Sequence, residues 1–260
     1  ICVALLMSII LLADNQKLNS QNPSHTLDSL ISGKPVAEQL EALHEHYLAI
    51  RYVNLDLAEL LCDTALSIAK KSSDTSLLAR PYLNRGTVYY FREQYDSAIT
   101  NYTISIKFSE ATNNSKQLAM AYSNLGILYN GLSQFKQTRI VLQKALRTFE
   151  RINDSSGIIR CLIGIGNSIY LSGNYESALQ YYTNALYLNN HFGQVSTNMT
   201  LLINIGAIYE TQNDFQLSLN YYNKALQISK ELQYTSDRAL VLRNIGAVYL
   251  QTGENMKALD

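Results

Sequence analysis

Apolar and small residues along this chain fall at helical spacing, not at alternate positions. Tyr82, Gly86 and Tyr89 sit at i, i+4 and i+7, and so do Ala98, Tyr102 and Ser105, which puts each set on one face of a helix. The pattern is then copied. Asn84-Arg85-Gly86-Thr87-Val88-Tyr89 returns as Asn124-Leu125-Gly126-Ile127-Leu128-Tyr129, as Asn204-Ile205-Gly206-Ala207-Ile208-Tyr209 and as Asn244-Ile245-Gly246-Ala247-Val248-Tyr249, with a weaker copy at Gly164 to Ile169. Gly86, Gly126, Gly166, Gly206 and Gly246 stand 40 residues apart. Nine residues after the first four of these glycines comes an aromatic: Tyr95, Phe135, Tyr175 or Phe215. Small or short side chains follow at Ala98, Thr138, Ala178 and Ser218, and again at Ser105, Ala145, Ala185 and Ala225. Each repeat therefore predicts two helices whose small residues let the backbones approach. One such pair cannot bury its own apolar faces and must stack on its neighbours.

The turns keep the same period. Ser72-Ser73-Asp74, Asn113-Asn114-Ser115 and Asn153-Asp154-Ser155 separate repeats, and Glu93-Gln94, Ser133-Gln134, Ser172-Gly173-Asn174, Gln212-Asn213-Asp214 and Thr252-Gly253-Glu254 divide them. Pro81 lacks a backbone donor, so its helix starts about a turn before it or bends there. Gly157, Gly164 and Gly166 cluster in one first helix. Each interior glycine costs about 1 kcal/mol relative to alanine, which leaves two readings, a hinge or sequence drift.

These positions resemble the tetratricopeptide repeat over residues 39 to 260. Gly86 and its partners match the small residue of that family's first helix, Tyr175 and its partners the aromatic that opens the second, and Ala178 and Ala185 the second helix's small residues. The chain departs from the family's common period of about 34 residues. It also has Glu110, Glu150, Asn190 and Lys230 where a proline usually ends the second helix. The resemblance implies an all-α fold, a right-handed superhelical solenoid of antiparallel helix pairs. Its repeats run 39–78, 79–118, 119–158, 159–198 and 199–238, with a partial sixth at 239–260. Forty-residue variants look like those in peptide-binding scaffolds and in the N-terminal sensory regions of bacterial sensor kinases and regulators.

Composition narrows the function. Lys+Arg and Asp+Glu are both 21, so no basic excess points to nucleic acid. Tyrosine is abundant at 19 and tryptophan absent, which suits half-buried helix interfaces. Cys2, Cys62 and Cys161 form neither a disulfide framework nor a zinc pattern. His44 and His46 point in different directions on a helix, poor metal geometry, and read as surface or end-repeat residues. No phosphate loop, nucleophile elbow or kinase motif is present. No cofactor, metal or catalytic residue is expected.

Residues 1–13, Ile1 to Ala13, are almost wholly apolar or small. A membrane helix needs about 20 such residues, so the run matches the apolar part of a signal peptide, the alternative being the tail of a longer membrane segment. Residues 14–36 read as a polar linker with a short helix at Ser24 to Ile31, and residues 37–260 as the repeat domain. Localisation is therefore expected outside the cytoplasm, periplasmic or membrane-anchored.

One polar feature recurs without a packing reason. Asn84, Asn124, Asn204 and Asn244 each lie two residues before a glycine, and the row is broken at Gly164. Two residues are about 200° around a helix, so asparagine and glycine face apart. In the family this position faces the concave groove, where similar asparagines hold extended peptides in some members. The resemblance thus implies peptide binding by Asn84, Asn124, Asn204 and Asn244. Thr87, Ile127, Ala207 and Ala247 lie one turn on, and Tyr90, Phe91, Asn130 and Thr211 beyond them. The bland reading is that asparagine only keeps the groove polar. The expected function is a non-catalytic protein- or peptide-binding scaffold, the sensory or interaction region of a larger signalling protein. The alternatives are a stand-alone assembly scaffold, or the regulatory part of an enzyme such as a histidine kinase.

Overall fold

A computed structural model describes residues 23–192, 194–232 and 235–259. The signal-peptide-like segment 1–13 lies outside the described residues. Thirteen α-helices occur among them, and no strand. They are α1 Pro23–Ile31, α2 Val36–Ile50, α3 Leu55–Lys71, α4 Ala79–Phe91, α5 Tyr95–Ala111, α6 Ser115–Gly131 and α7 Phe135–Arg151. Then come α8 Ser155–Leu171, α9 Tyr175–Phe192, α10 Val195–Thr211, α11 Phe215–Glu231, α12 Thr235–Gln251 and α13 Asn255–Leu259. A 3₁₀ turn, Thr75–Leu78, precedes α4. Pro81 therefore falls in the first turn of α4, where its missing N–H costs nothing. No described helix is long and apolar enough to cross a membrane.

The chain divides into two compact units, Ile1–Leu128 and Tyr129–Asp260. In the first, α1 packs on α2, α2 on α3, α3 on α4 and α4 on α5. Its core gathers Leu43, Tyr47, Ile50, Ala58, Leu61 and Val88. In the second, every helix from α7 to α13 packs on the next. Two clusters form its core, one around Tyr182, Leu201, Ile205 and Ile208, the other around Tyr222, Val241, Ile245 and Val248.

The repeat period is visible in single hydrogen bonds. The N–H groups of Gln94, Gln134, Asn174, Asp214 and Glu254 donate to the carbonyls of Tyr89, Tyr129, Ile169, Tyr209 and Tyr249 at 2.8–3.2 Å. This bond spans five residues and closes a helix C-terminus around one left-handed residue. That residue is Glu93 (φ 60°), Ser133 (φ 58°), Gly173 (φ 83°), Asn213 (φ 61°) or Gly253 (φ 76°). The next helix is then capped where a suitable side chain stands. Asp154 accepts from the Gly157 N–H at 2.8 Å and Asp214 from the Leu217 N–H at 3.1 Å.

The repeated glycines sit against rings. A Cβ added at Gly86 would lie 2.6 Å from the Tyr102 ring, at Gly166 2.6 Å from Tyr182, and at Gly206 2.7 Å from Tyr222. The glycine cluster of α8 is explained the same way. A Cβ at Gly157 would meet the Phe149 ring at 2.3 Å, and one at Gly164 would meet Leu142 at 2.7 Å. All three glycines answer to a packed side chain, so both the hinge and the drift reading give way to a packing demand.

Candidate functional site

In the first unit, Asn84 and Asn124 are half-buried. Asn84 Nδ2 donates to His44 Nδ1 at 3.0 Å, and Asn124 Nδ2 donates to Thr87 Oγ1 at 3.3 Å. Thr87 also accepts from the buried Tyr102 hydroxyl at 3.3 Å. The second unit repeats the arrangement. Asn167 Oδ1 accepts from Asn204 Nδ2 at 3.4 Å and from the Tyr182 hydroxyl at 2.7 Å. Each of these asparagines therefore ties its helix to the first helix of the repeat before it. Thr87 and Asn167 are equivalent positions, one turn beyond the asparagine position, and each serves one tyrosine and one asparagine.

The other members of the row follow their local partners. Ala207 stands at the Thr87 position and offers Asn244 no acceptor. Tyr222 instead donates to Glu210 at 2.7 Å, and Gln251 donates to the same carboxylate at 3.0 Å. Leu142 replaces the tyrosine of its repeat, and its side chain fills the space a Cβ at Gly164 would need. This is why the row is broken there. Ile127 is exposed, and Ala207 and Ala247 are half-buried. Tyr90 is half-buried and packs against Phe91 and Tyr95. Asn130 is half-buried with an unpaired Oδ1, and Thr211 is exposed.

Sequence reasoning missed the residues at the start of the row. His44 lies 40 residues before Asn84 and is its first member by register. Extending the period backwards would have found it. The histidines, expected as surface or end-repeat residues, both lie on α2 in the first repeat, and neither is exposed. His46 is buried, with Nδ1 2.9 Å from the Ala42 carbonyl. His44 is half-buried, and burial followed by the Arg80 charge pushes its pKa down to about 4. The imidazole is thus neutral at physiological pH. An amide nitrogen can only donate, so Nδ1 accepts from Asn84 and Nε2 carries the proton.

His44 and Asn84 line a cavity of about 260 Å³ in the first unit. Its apolar wall includes Leu40, Leu43, Leu61, Ala65 and Leu77, and its polar groups include Glu41, Arg80 and Gln117. Arg80 pairs with Glu41, and that hydrogen bond holds the Glu41 carboxyl below its usual range. No group of three His, Cys, Asp or Glu able to hold a metal occurs among the described residues.

The family model for the tetratricopeptide repeat matches residues 117–188 and 197–260, more than half of the chain. A search of curated proteins finds no match. Solved structures match over nearly the whole chain. RapI in its apo form is 16% identical over 96% of this chain and 70% of its own, with a TM-score of 0.73. NprR, solved in complex with its cognate peptide NprX, is 18% identical over 98% of this chain and 74% of its own, with a TM-score of 0.65. The signal transduction ATPase PH0952 from Pyrococcus horikoshii, which carries a tetratricopeptide repeat sensor, is 13% identical over 90% of this chain and 37% of its own, with a TM-score of 0.74. At these identities the likeness is one of fold.

Proposed function

Because the chain belongs to the tetratricopeptide repeat family, we propose that it acts by binding an extended peptide or protein segment on the face of its first helices, without catalysis. The observation that carries this reading is the way the asparagines are held. Asn84, Asn124 and Asn204 each spend one N–H on the preceding repeat. An amide has a second N–H and a carbonyl oxygen, which match the C=O and N–H of an extended main chain. The bond to the neighbour fixes the side-chain rotamer beforehand, which lowers the entropy cost of binding. Thr87 and Ile127 in the first unit, and Ala207 and Ala247 in the second, give each unit's own first-helix face a neutral, partly apolar floor, so selectivity rests on uncharged side chains and affinity varies little with salt. NprR shares the fold and is solved with a peptide, and PH0952 carries its repeats as a sensor; both support a ligand-sensing role within a larger signalling protein.

The test is a panel of linear peptides, capped at both ends, selected on the immobilised protein. Changing Asn124 and Asn204 together to alanine removes about 0.5–1.5 kcal/mol per hydrogen bond and is expected to weaken the selected peptide ten- to a hundredfold. The same amides brace neighbouring repeats, so folding is checked alongside by circular dichroism. A folded double variant that binds with undiminished affinity would sink the reading.

The same proposal places the protein outside the cytoplasm. Its support is the apolar run Ile1 to Ala13, which has the character of an export signal. Protein taken from the native host is expected in an exported fraction with this run removed. Mass spectrometry that finds it intact in the cytosol would contradict export.

A further inference from the structure

Among the second helices of the repeats, α7 differs in charge. It carries Lys136, Arg139, Lys144, Arg147 and Arg151 against one carboxylate, Glu150. Its buried side holds Thr138, Leu142, Ala145 and Phe149. Lys136, Ile140, Lys144, Arg147 and Arg151 are all exposed, Ile140 at 48%. They stand at i, i+4, i+8, i+11 and i+15, a single stripe about 22 Å long. The repeat does not require this. In α9 the registers of Lys136, Arg147 and Arg151 hold Glu176, Tyr187 and His191, and in α11 they hold Gln216, Gln227 and Glu231. The first turns of α5 and α9 are acidic, with Asp96 and Glu176, whereas α7 has Lys136 there and no acid. A positive charge at a helix N-terminus opposes the helix dipole, and like charges three or four residues apart repel. Among the described residues neither Lys136 nor Arg147 is in an ion pair. Arg139 is half-buried and donates to the Ser168 and Ser172 hydroxyls at 3.4 and 3.3 Å, so it is not part of the stripe. Local rules broken without compensation point to a use.

We propose that the exposed stripe of α7 docks an acidic segment of a partner protein, one that carries carboxylates on both sides of an apolar side chain. This surface is separate from the first-helix face proposed above. The sign of the stripe selects carboxylates, and Ile140, between Lys136 and Lys144, selects the apolar residue between them. Its width selects a single segment. In the registers of Ile140, Gln143 and Lys144, α9 presents Gln180, Thr183 and Asn184, and α11 presents Asn220, Asn223 and Lys224, all exposed and with one charge among them. A bilayer or a nucleic-acid duplex spreads its charge over more than one helix width and would meet one basic row. A peptide segment is itself one row wide. Basic and acidic residues are equal in number, 21 of each, which leaves no surplus for a nucleic acid. Exposed ion pairs are individually weak, so this binding is reversible and falls as salt screens it.

The probe is a fluorescein-labelled peptide of glutamates flanking a central leucine, capped at both ends and followed by anisotropy as the full chain is titrated in. It is expected to bind saturably and to weaken as salt rises from about 50 to about 300 mM. Changing Lys136 and Arg147 together to glutamate turns two attractions into repulsions and should weaken binding about tenfold. The denaturation midpoint of that variant should stay level or rise, because Lys136→Glu gives α7 the acidic first turn that α9 has. Changing the same pair to glutamine, which only removes charge, should cost about threefold. Serine in place of the peptide's leucine should also weaken it about threefold, and glutamine in place of its glutamates should abolish binding. Phosphatidylglycerol vesicles and a short DNA duplex should displace it less readily than the unlabelled peptide does at equal charge. No saturable binding, undiminished binding to both variants, or equal affinity for the leucine and serine peptides would overturn the proposal. So would displacement by vesicles or duplex as readily as by peptide. The double alanine variant of Asn124 and Asn204 should bind the acidic peptide normally, so failure of this surface and failure of the asparagine face are separate results.

Discussion

Raising the pH above about 10 is expected to unfold this protein steeply, with tyrosinate appearing as the helices are lost. Tyr47, Tyr102, Tyr182 and Tyr222 are each 2% exposed or less. Burial is the first cause that holds all four hydroxyls above the ordinary value of 10.0, and in Tyr222 the bond to Glu210 adds to it. The sign follows from which state loses the proton first. An unfolded tyrosine ionises near 10, while the folded one stays neutral. Stability is therefore complete below 10 and falls as the pH climbs towards the folded values. Each such group contributes about 1.4 kcal/mol per pH unit, so four together approach about 5 kcal/mol per unit, enough to exhaust the typical 5–15 kcal/mol of a domain within a few units. Tyrosinate absorbance and far-ultraviolet circular dichroism should change together. Complete tyrosine ionisation with an intact helical signal would show that these hydroxyls are not shielded.

Alanine at Gly157 should cost about 2 kcal/mol. Its Cβ would lie 2.3–2.5 Å from three atoms of the Phe149 ring, and that ring is fully buried. Overpacking of this kind costs about 1–3 kcal/mol, and the better helix propensity of alanine returns at most about 1 kcal/mol. Gly131 is the control. It ends α6 with nothing within 4 Å of an added Cβ, so Gly131→Ala should be neutral or mildly stabilising. Phe149→Leu should relieve the Gly157→Ala clash, making the double variant more stable than the sum of the single effects. Equal denaturation midpoints for Gly157→Ala and Gly131→Ala would mean that the α7–α8 contact is looser than described.

The period of 40 was the most legible feature, because one packing solution is reused and each reuse writes the same small, aromatic and turn residues. It located the helix pairs and their turns. It did not show that Glu93, Ser133 and Asn213 take left-handed backbone, since none is glycine. The reason for Gly157 was hidden because its partner, Phe149, belongs to the preceding helix and carries no mark of the contact. The asparagine row was legible as a row, but its half-burial was not. Nor were its hydrogen bonds, which depend on what stands one turn on in the neighbouring repeat: the threonine and the asparagine there accept, and an alanine has nothing to accept with. The cavity was invisible for the same reason. It joins α2, α3, α4 and α6, and Gln117 looks like an ordinary polar residue until its surroundings are known.

The bonds from Asn204 to Asn167 and from Asn124 to Thr87 also bear on how such a chain could be lengthened, shortened or recombined. Repeats of one length look interchangeable, yet each polar contact is written half in one repeat and half in the next. Excising residues 199–238 would preserve the period and bring Asn244 against Asn167, an acceptor that Ala207 does not supply. Importing a repeat with Leu142 in its tyrosine position would instead require a glycine to follow, as Gly164 does now. Order along the chain is thus inherited with the residues themselves, and a rearranged array would fold well only where the two halves of each junction agree.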